Sequence, residues 1–188
     1  MSNDLIYKDV ETNNIDLTYY PYYVFNSLYS YSKCLNIFEN KFEGSEIIIG
    51  LYVGSIDSTY DIKTLKSKGI THIISVLPGF TPPYPNDFKY MVINAMDDEN
   101  TNLDMVFEDS NKFIEDAFEN RGNILVHCMM GRSRSATITA AYLIHAFGMN
   151  VDEVLLLMKN KRSIIQPNKY FEKQLRKYYK TKVEQLDV

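Results

Sequence analysis

Cys128 and Arg134 stand six residues apart, a spacing that suits covalent chemistry on a phosphate group. A free thiol titrates near about 8.5 and attacks only as the thiolate. A neighbouring guanidinium and the start of a helix both favour that ionised form. Between the two lie Met129-Met130-Gly131-Arg132-Ser133, whose backbone N–H groups can ring an anion when a turn leads into a helix. Gly131 permits a backbone conformation that a side chain would hinder. Arg134 can grip two oxygens with its planar fork, which a lysine cannot do. One loop would then both bind a phosphate and activate the nucleophile that attacks it.

The spacing alone is a weak signal, and a lone cysteine is more often a small buried hydrophobe. The second cysteine, Cys34, has Asn40 six residues on and no such pairing. Context sets Cys128 apart. Ile124-Leu-Val-His127 reads as a strand buried on both faces, and it runs straight into the loop. A long Ala-rich, apolar helix is expected over Ser133–Phe147, ended by Gly148.

The rest of the chain supplies a frame. Strands are expected at Ile47–Val53, Thr71–Leu77 and Lys89–Asn94. Helices are expected at Thr59–Lys68 before Gly69, and at Leu103–Asn120 with Gly122 closing it. Asn150-Val-Asp-Glu153 forms a capping box for a helix to Lys161, and Asn168 is an N-cap for a last helix. Pro78–Pro85 holds four prolines and forms no regular element. Alternating strands and helices give an α/β fold: a central, mostly parallel sheet flanked by helices. Residues 1–45 read as an N-terminal extension, a flexible polar tip and then a helix after Pro21 carrying Val24, Phe25, Leu28, Leu35 and Phe38. It serves either as packing or as a recognition segment.

Composition narrows the partners. With 188 residues the chain suits one domain. A net charge of −4 argues against a general nucleic-acid binder. No apolar run approaches the about 20 residues of a membrane span, and Met-Ser-Asn-Asp lacks signal-peptide features. A cytosolic or nuclear location is therefore expected. His72, His127 and His145 make no metal-ligand spacing with each other or with the cysteines, so no metal or other cofactor is expected.

The segment from Ile124 to Thr137 resembles the signature loop of the small dual-specificity protein phosphatases, within the cysteine-dependent protein tyrosine phosphatase superfamily. Leu51–Ser55 and Leu65–Val76 are similar to that family's opening strand–helix–strand, and Arg162–Leu175 to its closing helix. The resemblance covers residues 46–180 and implies a catalytic domain over 46–182 with a tail at 183–188. It implies hydrolysis of phosphotyrosine and phosphoserine or phosphothreonine in proteins through a phosphocysteine intermediate. Cys128 would be the nucleophile, and the backbone of Met129 to Ser133 with Arg134 would hold the phosphate.

By position Asp97, in Ile93-Asn-Ala-Met-Asp97-Asp98-Glu99, matches the family's general acid, with Asp98 as its rival. Ser135 matches the hydroxyl that bonds the departing sulfur, or it caps the helix. His127 matches an orienting residue, Arg132 adds surface charge, and Asn168 makes a supporting contact. The side chains of Met129 and Met130 are expected to face the fold. Phe80 and Tyr84 either line the pocket or belong to a rigid connector. Relatives acting on phosphoinositides often carry lysine in the loop, which this chain lacks, so a phosphoprotein substrate is implied. The same loop chemistry also suits a phospholipid, a glycan or an RNA end. A phospho-binding module without turnover is disfavoured by the retained cysteine. Cys34 would trap oxidised Cys128 as a disulfide if the two lie close.

Overall fold

A computed structural model of the chain describes residues 5–10, 24, 25, 28, 29 and 41–186. Cys34, Leu35 and Phe38 lie outside these. Of the expected N-terminal helix, Val24, Phe25 and Leu28 are described and helical, as is Tyr29.

Six strands form one sheet in the order β1-β5-β4-β6-β3-β2. They are β1 (Leu5–Asp9), β2 (Gly44–Ile48), β3 (Leu51–Gly54), β4 (Ile70–Val76), β5 (Lys89–Asn94) and β6 (Asn123–His127). All neighbours run parallel except β2 against β3. Alternation of side chains splits the core in two. Ile74, Val76, Met91, Ile93, Ile124 and Val126 face the cluster made with the larger helices. Ile73, Leu77, Tyr90, Val92 and Leu125 face Tyr52, Tyr60, Leu65, Phe80 and Phe88 on the other side.

The helices are α1 (Ile62–Ser67), α2 (Phe107–Glu119), α3 (Arg134–Phe147), α4 (Val151–Lys161) and α5 (Lys169–Leu186). Helix α3 is buried from Arg134 through Ile144 and packs against α2, α4, α5 and β6. Its run of Ala and Ile follows from this, because a helix enclosed on all sides needs no polar stripe. Gly148 ends it with φ of 64°, and Asn150 with Glu153 completes the capping box that opens α4.

Several expectations give way. Ile47–Val53 is a hairpin rather than one strand: the chain turns at Ile49–Gly50, and Gly50 takes φ of 80°. An all-apolar run hides such a turn. Thr59–Lys68 divides into a 3₁₀ turn at Ile56–Thr59 and α1, because Asp61 caps α1 by accepting from the Thr64 N–H. Leu103–Val106 is likewise 3₁₀, and α2 starts only at Phe107.

After α2 it is Arg121, not Gly122, that takes the left-handed conformation, at φ of 56°. Gly122 is needed for a close approach: a Cβ there would lie 1.9 Å from Thr71 Oγ1. The flexible tip gives way at Leu5–Asp9 to an edge strand, held by Asn94 Nδ2 donating to Asp9 at 2.6 Å and a Lys8–Asp109 ion pair at 2.7 Å. The expected boundary at 45/46 falls inside β2. The expected tail gives way too, since α5 continues to Leu186 with Lys182 paired to Glu108 at 2.8 Å. No helix among the described residues is long and apolar enough to cross a membrane.

Candidate active site

The carboxyl ends of β3, β4, β5 and β6 meet where β6 gives way to the loop Cys128–Ser133. Open α/β sheets place ligands at this end of their strands. Each carbonyl of the loop is tied to a group outside the loop's hollow. The Ile56 N–H donates to Met129 O at 3.2 Å. Arg162 donates from Nη2 to Met130 O at 3.0 Å and from Nε to Gly131 O at 2.9 Å. The Gln166 N–H reaches Arg132 O at 2.9 Å, and the Thr137 N–H reaches Ser133 O at 2.8 Å. In a trans peptide the C=O and the following N–H point opposite ways. Anchoring the carbonyls outward therefore aims the N–H groups inward.

Gly131 is required at its place on two counts. Its φ is 67°, and a Cβ would meet the backbone of Gly54 at 2.5 Å. The Gly131 N–H donates to Cys128 Sγ at 3.3 Å, and Ser135 Oγ donates to the same sulfur at 3.3 Å. Ser135 is the second residue of α3, so its place at the sulfur comes with its place in the helix's first turn. Burial resists ionisation of the Cys128 thiol. The Arg134 charge, the Ser135 hydroxyl and the N–H groups of Ser135 and Arg132 together outweigh it, and the pKa lies below the ordinary thiol value. Arg134 is itself buried, and Nη1 donates to Ala95 O at 3.1 Å.

His127 sits directly behind the loop, fully buried. Its Nε2 lies 2.7 Å from Ser75 Oγ, its Nδ1 lies 3.4 Å from Cys128 O, and Phe80 packs edge-on at 4.9 Å. Burial, aided by the Arg134 charge, lowers its pKa to about 3. It is a neutral group that ties the end of β6 to β4 through Ser75. Ser75 was not anticipated; a hydroxyl inside the apolar stretch Ile73–Leu77 is the signal that points to it.

Asp97 follows β5 and is more exposed. Ser133 Oγ and Asn168 Nδ2 both donate to its Oδ1, at 2.7 and 2.8 Å, and Arg134 Nε lies 3.8 Å from Oδ2. Asp98 instead turns away, accepting from the N–H groups of Asn100 and Thr101 and from the Thr101 hydroxyl. Geometry thus separates the two carboxylates: one faces the loop, the other closes its own turn. Asn168 Oδ1 caps α5 through the N–H groups of Tyr170 and Phe171 while its amide holds Asp97.

Asp97, Cys128, Met129, Met130, Arg132, Ser133, Arg134 and Asn168 line one open cavity of about 650 Å³, with Gln166, Pro167, Lys169 and Glu172 completing the rim. One open alternative is decided here, and one expectation fails. Phe80 and Tyr84 do not line this cavity: Phe80 is buried on His127, and the Tyr84 hydroxyl bonds Tyr60 O at 2.9 Å. Met130 does not face the fold but is 59% exposed at the cavity wall, whereas Met129 is half-buried. Arg132 is exposed and bonds Gln166. Arg162 was not anticipated in this role.

The arrangement is a buried thiol of lowered pKa, ringed by donors, opposite a held carboxylate. Comparison with known proteins accords with it. A family model described as "Dual specificity phosphatase, catalytic domain" matches residues 51–181. Dual specificity protein phosphatase 1 of Arabidopsis thaliana is 42% identical over 126 residues, 67% of this chain and 64% of that protein. Dual specificity protein phosphatase 1B of the same plant is 40% identical over 137 residues, 73% of this chain and 82% of that one. Among solved structures, DUSP15 superposes with a TM-score of 0.73 at 32% identity, covering 78% of this chain and 93% of that one. The human tyrosine phosphatase-like serine/threonine/tyrosine-interacting protein gives 0.74 at 30%, covering 76% and 99%.

Proposed function

This chain belongs to the dual-specificity phosphatase family, and from that premise we propose that it hydrolyses phosphotyrosine and phosphoserine or phosphothreonine in proteins through a phosphocysteine intermediate on Cys128. The observation that carries this reading is the convergence on Cys128 Sγ of the Gly131 N–H, the Ser135 hydroxyl and the Arg134 charge at the floor of an open cavity.

In the first step Cys128 Sγ attacks phosphorus, and the bond to the ester oxygen breaks. Inward N–H groups of the loop and the Arg134 fork hold the three non-bridging oxygens, whose charge is spread in the transition state. Asp97 delivers a proton to the departing oxygen, which matters most for a serine or threonine alkoxide. The hydrogen bonds from Ser133 and Asn168 fix its Oδ1 and leave Oδ2 to deliver the proton. In the second step Asp97 takes a proton from water as that water attacks phosphorus. The P–S bond breaks, and the Ser135 hydroxyl stabilises the leaving thiolate. His127, neutral, holds the strand end that aims the sulfur. Turnover calls on no metal or other cofactor.

A side-by-side assay decides the substrate class. Phosphotyrosine and phosphothreonine peptides, a phosphoinositide, a phosphorylated glucan and an RNA 5′-phosphate are offered to the same preparation. We expect kcat/KM for a phosphopeptide to exceed the others. A preference for any of the last three overturns the protein-substrate reading, and absence of phosphate release from all of them overturns the enzymatic one.

A further inference from the structure

Two carbonyls of the loop are held by a residue whose own carboxylate partner lies ahead of the family-matched segment. Arg162 follows α4 and is 93% buried, its exposure being 7%. One edge of its guanidinium serves the Gly131 and Met130 carbonyls. Glu43 closes the other edge with both oxygens: Oε1 is 2.7 Å from Nη1 and Oε2 is 2.9 Å from Nη2. Such a two-point fork fixes the plane of the guanidinium as well as its position.

Glu43 is itself fixed. Its N–H donates to Ser58 Oγ at 3.0 Å, and its carbonyl accepts from the Ser55 N–H at 3.1 Å. It therefore sits beside Gly54, whose backbone packs directly on Gly131. Glu43 precedes the matched residues 51–181, and the sequence around it shows no motif.

We propose that Glu43 is a positioning residue for phosphate binding, acting through Arg162. The linkage runs through two peptide planes. Holding Met130 O outward turns the Gly131 N–H toward Cys128 Sγ, and holding Gly131 O outward turns the Arg132 N–H inward. A guanidinium gripped on one edge only can rotate or draw water, and the two donors then lose their common aim. Half the Glu43 side chain is open to solvent, so its charge is partly screened; the geometric constraint carries the effect. The inference rests on Cys128 being the nucleophile. It adds that the catalytic unit is incomplete without residues ahead of the matched segment.

The test compares wild type, Glu43→Gln, Glu43→Ala, Arg162→Lys and the Glu43→Ala/Arg162→Lys double variant, all in the full chain. Five quantities are read: KM and kcat for an aryl phosphate, inhibition by inorganic phosphate, the pH dependence of Cys128 alkylation, and the melting temperature. Peptide mapping separates Cys128 from Cys34 in the alkylation.

Glu43→Ala should raise KM and the phosphate inhibition constant about 5- to 20-fold, with a smaller fall in kcat. Its alkylation midpoint should move to higher pH, as the N–H donors turn from the sulfur. Glu43→Gln, which keeps one strong acceptor, should change these about 2- to 5-fold. The double variant should be no worse than Arg162→Lys, since the two residues act as one unit.

Folded Glu43→Ala with unchanged KM, phosphate inhibition and alkylation midpoint overturns the proposal, as does additivity in the double variant. Should the Ala variant not fold, unchanged values in the isosteric Gln variant overturn it equally. Failure of wild type to release phosphate from any ester strikes the catalytic reading instead, and the alkylation midpoint still reads the loop.

Discussion

Each end of the parallel strands buries a histidine, and only one end makes a site of it. At the amino end His72 of β4 lies 2.8 Å from Thr71 Oγ1 and 2.9 Å from Asp116 Oδ2, and Lys89 reaches the same carboxylate at 3.0 Å. Burial lowers the His72 pKa even against the pull of Asp116. The contact is thus a neutral imidazole on a carboxylate whose charge Lys89 meets, rather than an ion pair of the histidine. At the carboxyl end His127 is likewise buried, neutral and bonded through both ring nitrogens. The difference lies one residue further on. Around His72 donors and acceptors consume each other. Beyond His127 the carbonyls are tied away and the donors converge on a sulfur facing an open cavity. A perturbed histidine marks burial, and convergence of donors marks the site.

The comparison breaks most visibly at Cys128. Cys128→Ser should cost about 10⁴-fold or more in turnover of an aryl phosphate while still binding it. Asp116→Asn at the other end should leave kcat within about 2-fold and lower the melting temperature instead. Equal losses of turnover in the two would erase the distinction between the ends.

Asp97→Ala should lower kcat by about 10²- to 10³-fold, more for a phosphothreonine peptide than for a phosphotyrosine one, and should reshape the pH–rate profile. A profile identical to wild type would remove Asp97 from the chemistry. The acid limb of kcat/KM should reflect Cys128, with activity rising through a pH below the ordinary thiol value.

His127 sharpens the comparison through stability. Its pKa in the folded chain is about 3, against an ordinary value of 6.5, so the unfolded chain takes up the proton first. Stability is unaffected above about pH 6.5 and falls as the pH drops from there toward 3, by about 2 to 3 kcal/mol at pH 4.5. Urea unfolding at pH 7 and 4.5 measures this, and His127→Gln should remove most of that dependence. The smallest effect is expected at Ser135. Ser135→Ala should slow turnover about 10-fold and let phosphocysteine accumulate, visible by mass spectrometry of quenched reactions. Slow turnover without accumulation would place its role in the first step.

The parts of the site within one stretch of chain were legible in the sequence. Cys128, Gly131, Arg134 and Ser135 share a strand–loop–helix junction, where types and spacing carry the geometry. Asp97 was legible as a carboxylate after a strand. What escaped depends on distant contacts. Arg162 lies in the segment read as the closing helix, yet its partners are Gly131, 31 residues back, and Glu43, 119 back. The proline-rich stretch left Phe80 and Tyr84 open between pocket and connector, because aromatic residues near a site in sequence can be spent on packing behind it. The hairpin at Gly50 escaped because its apolar residues show one unbroken run. Strand β1 escaped because an edge strand with only Ile6 turned toward the core lacks the apolar signature of its neighbours.

Strand β1 also guards the protein against its own kind. It lies along β5, whose Tyr90–Ile93 would otherwise present a row of apolar residues with one side of its peptide groups unpaired, a template for another chain's strand. With β1 in place the outermost strand carries Lys8 and Asp9, both committed to partners, and charges on a rim discourage a further strand from joining. Loss of Leu5–Asp9 should therefore show first as self-association and poor recovery at high concentration, before any change in the chemistry at Cys128.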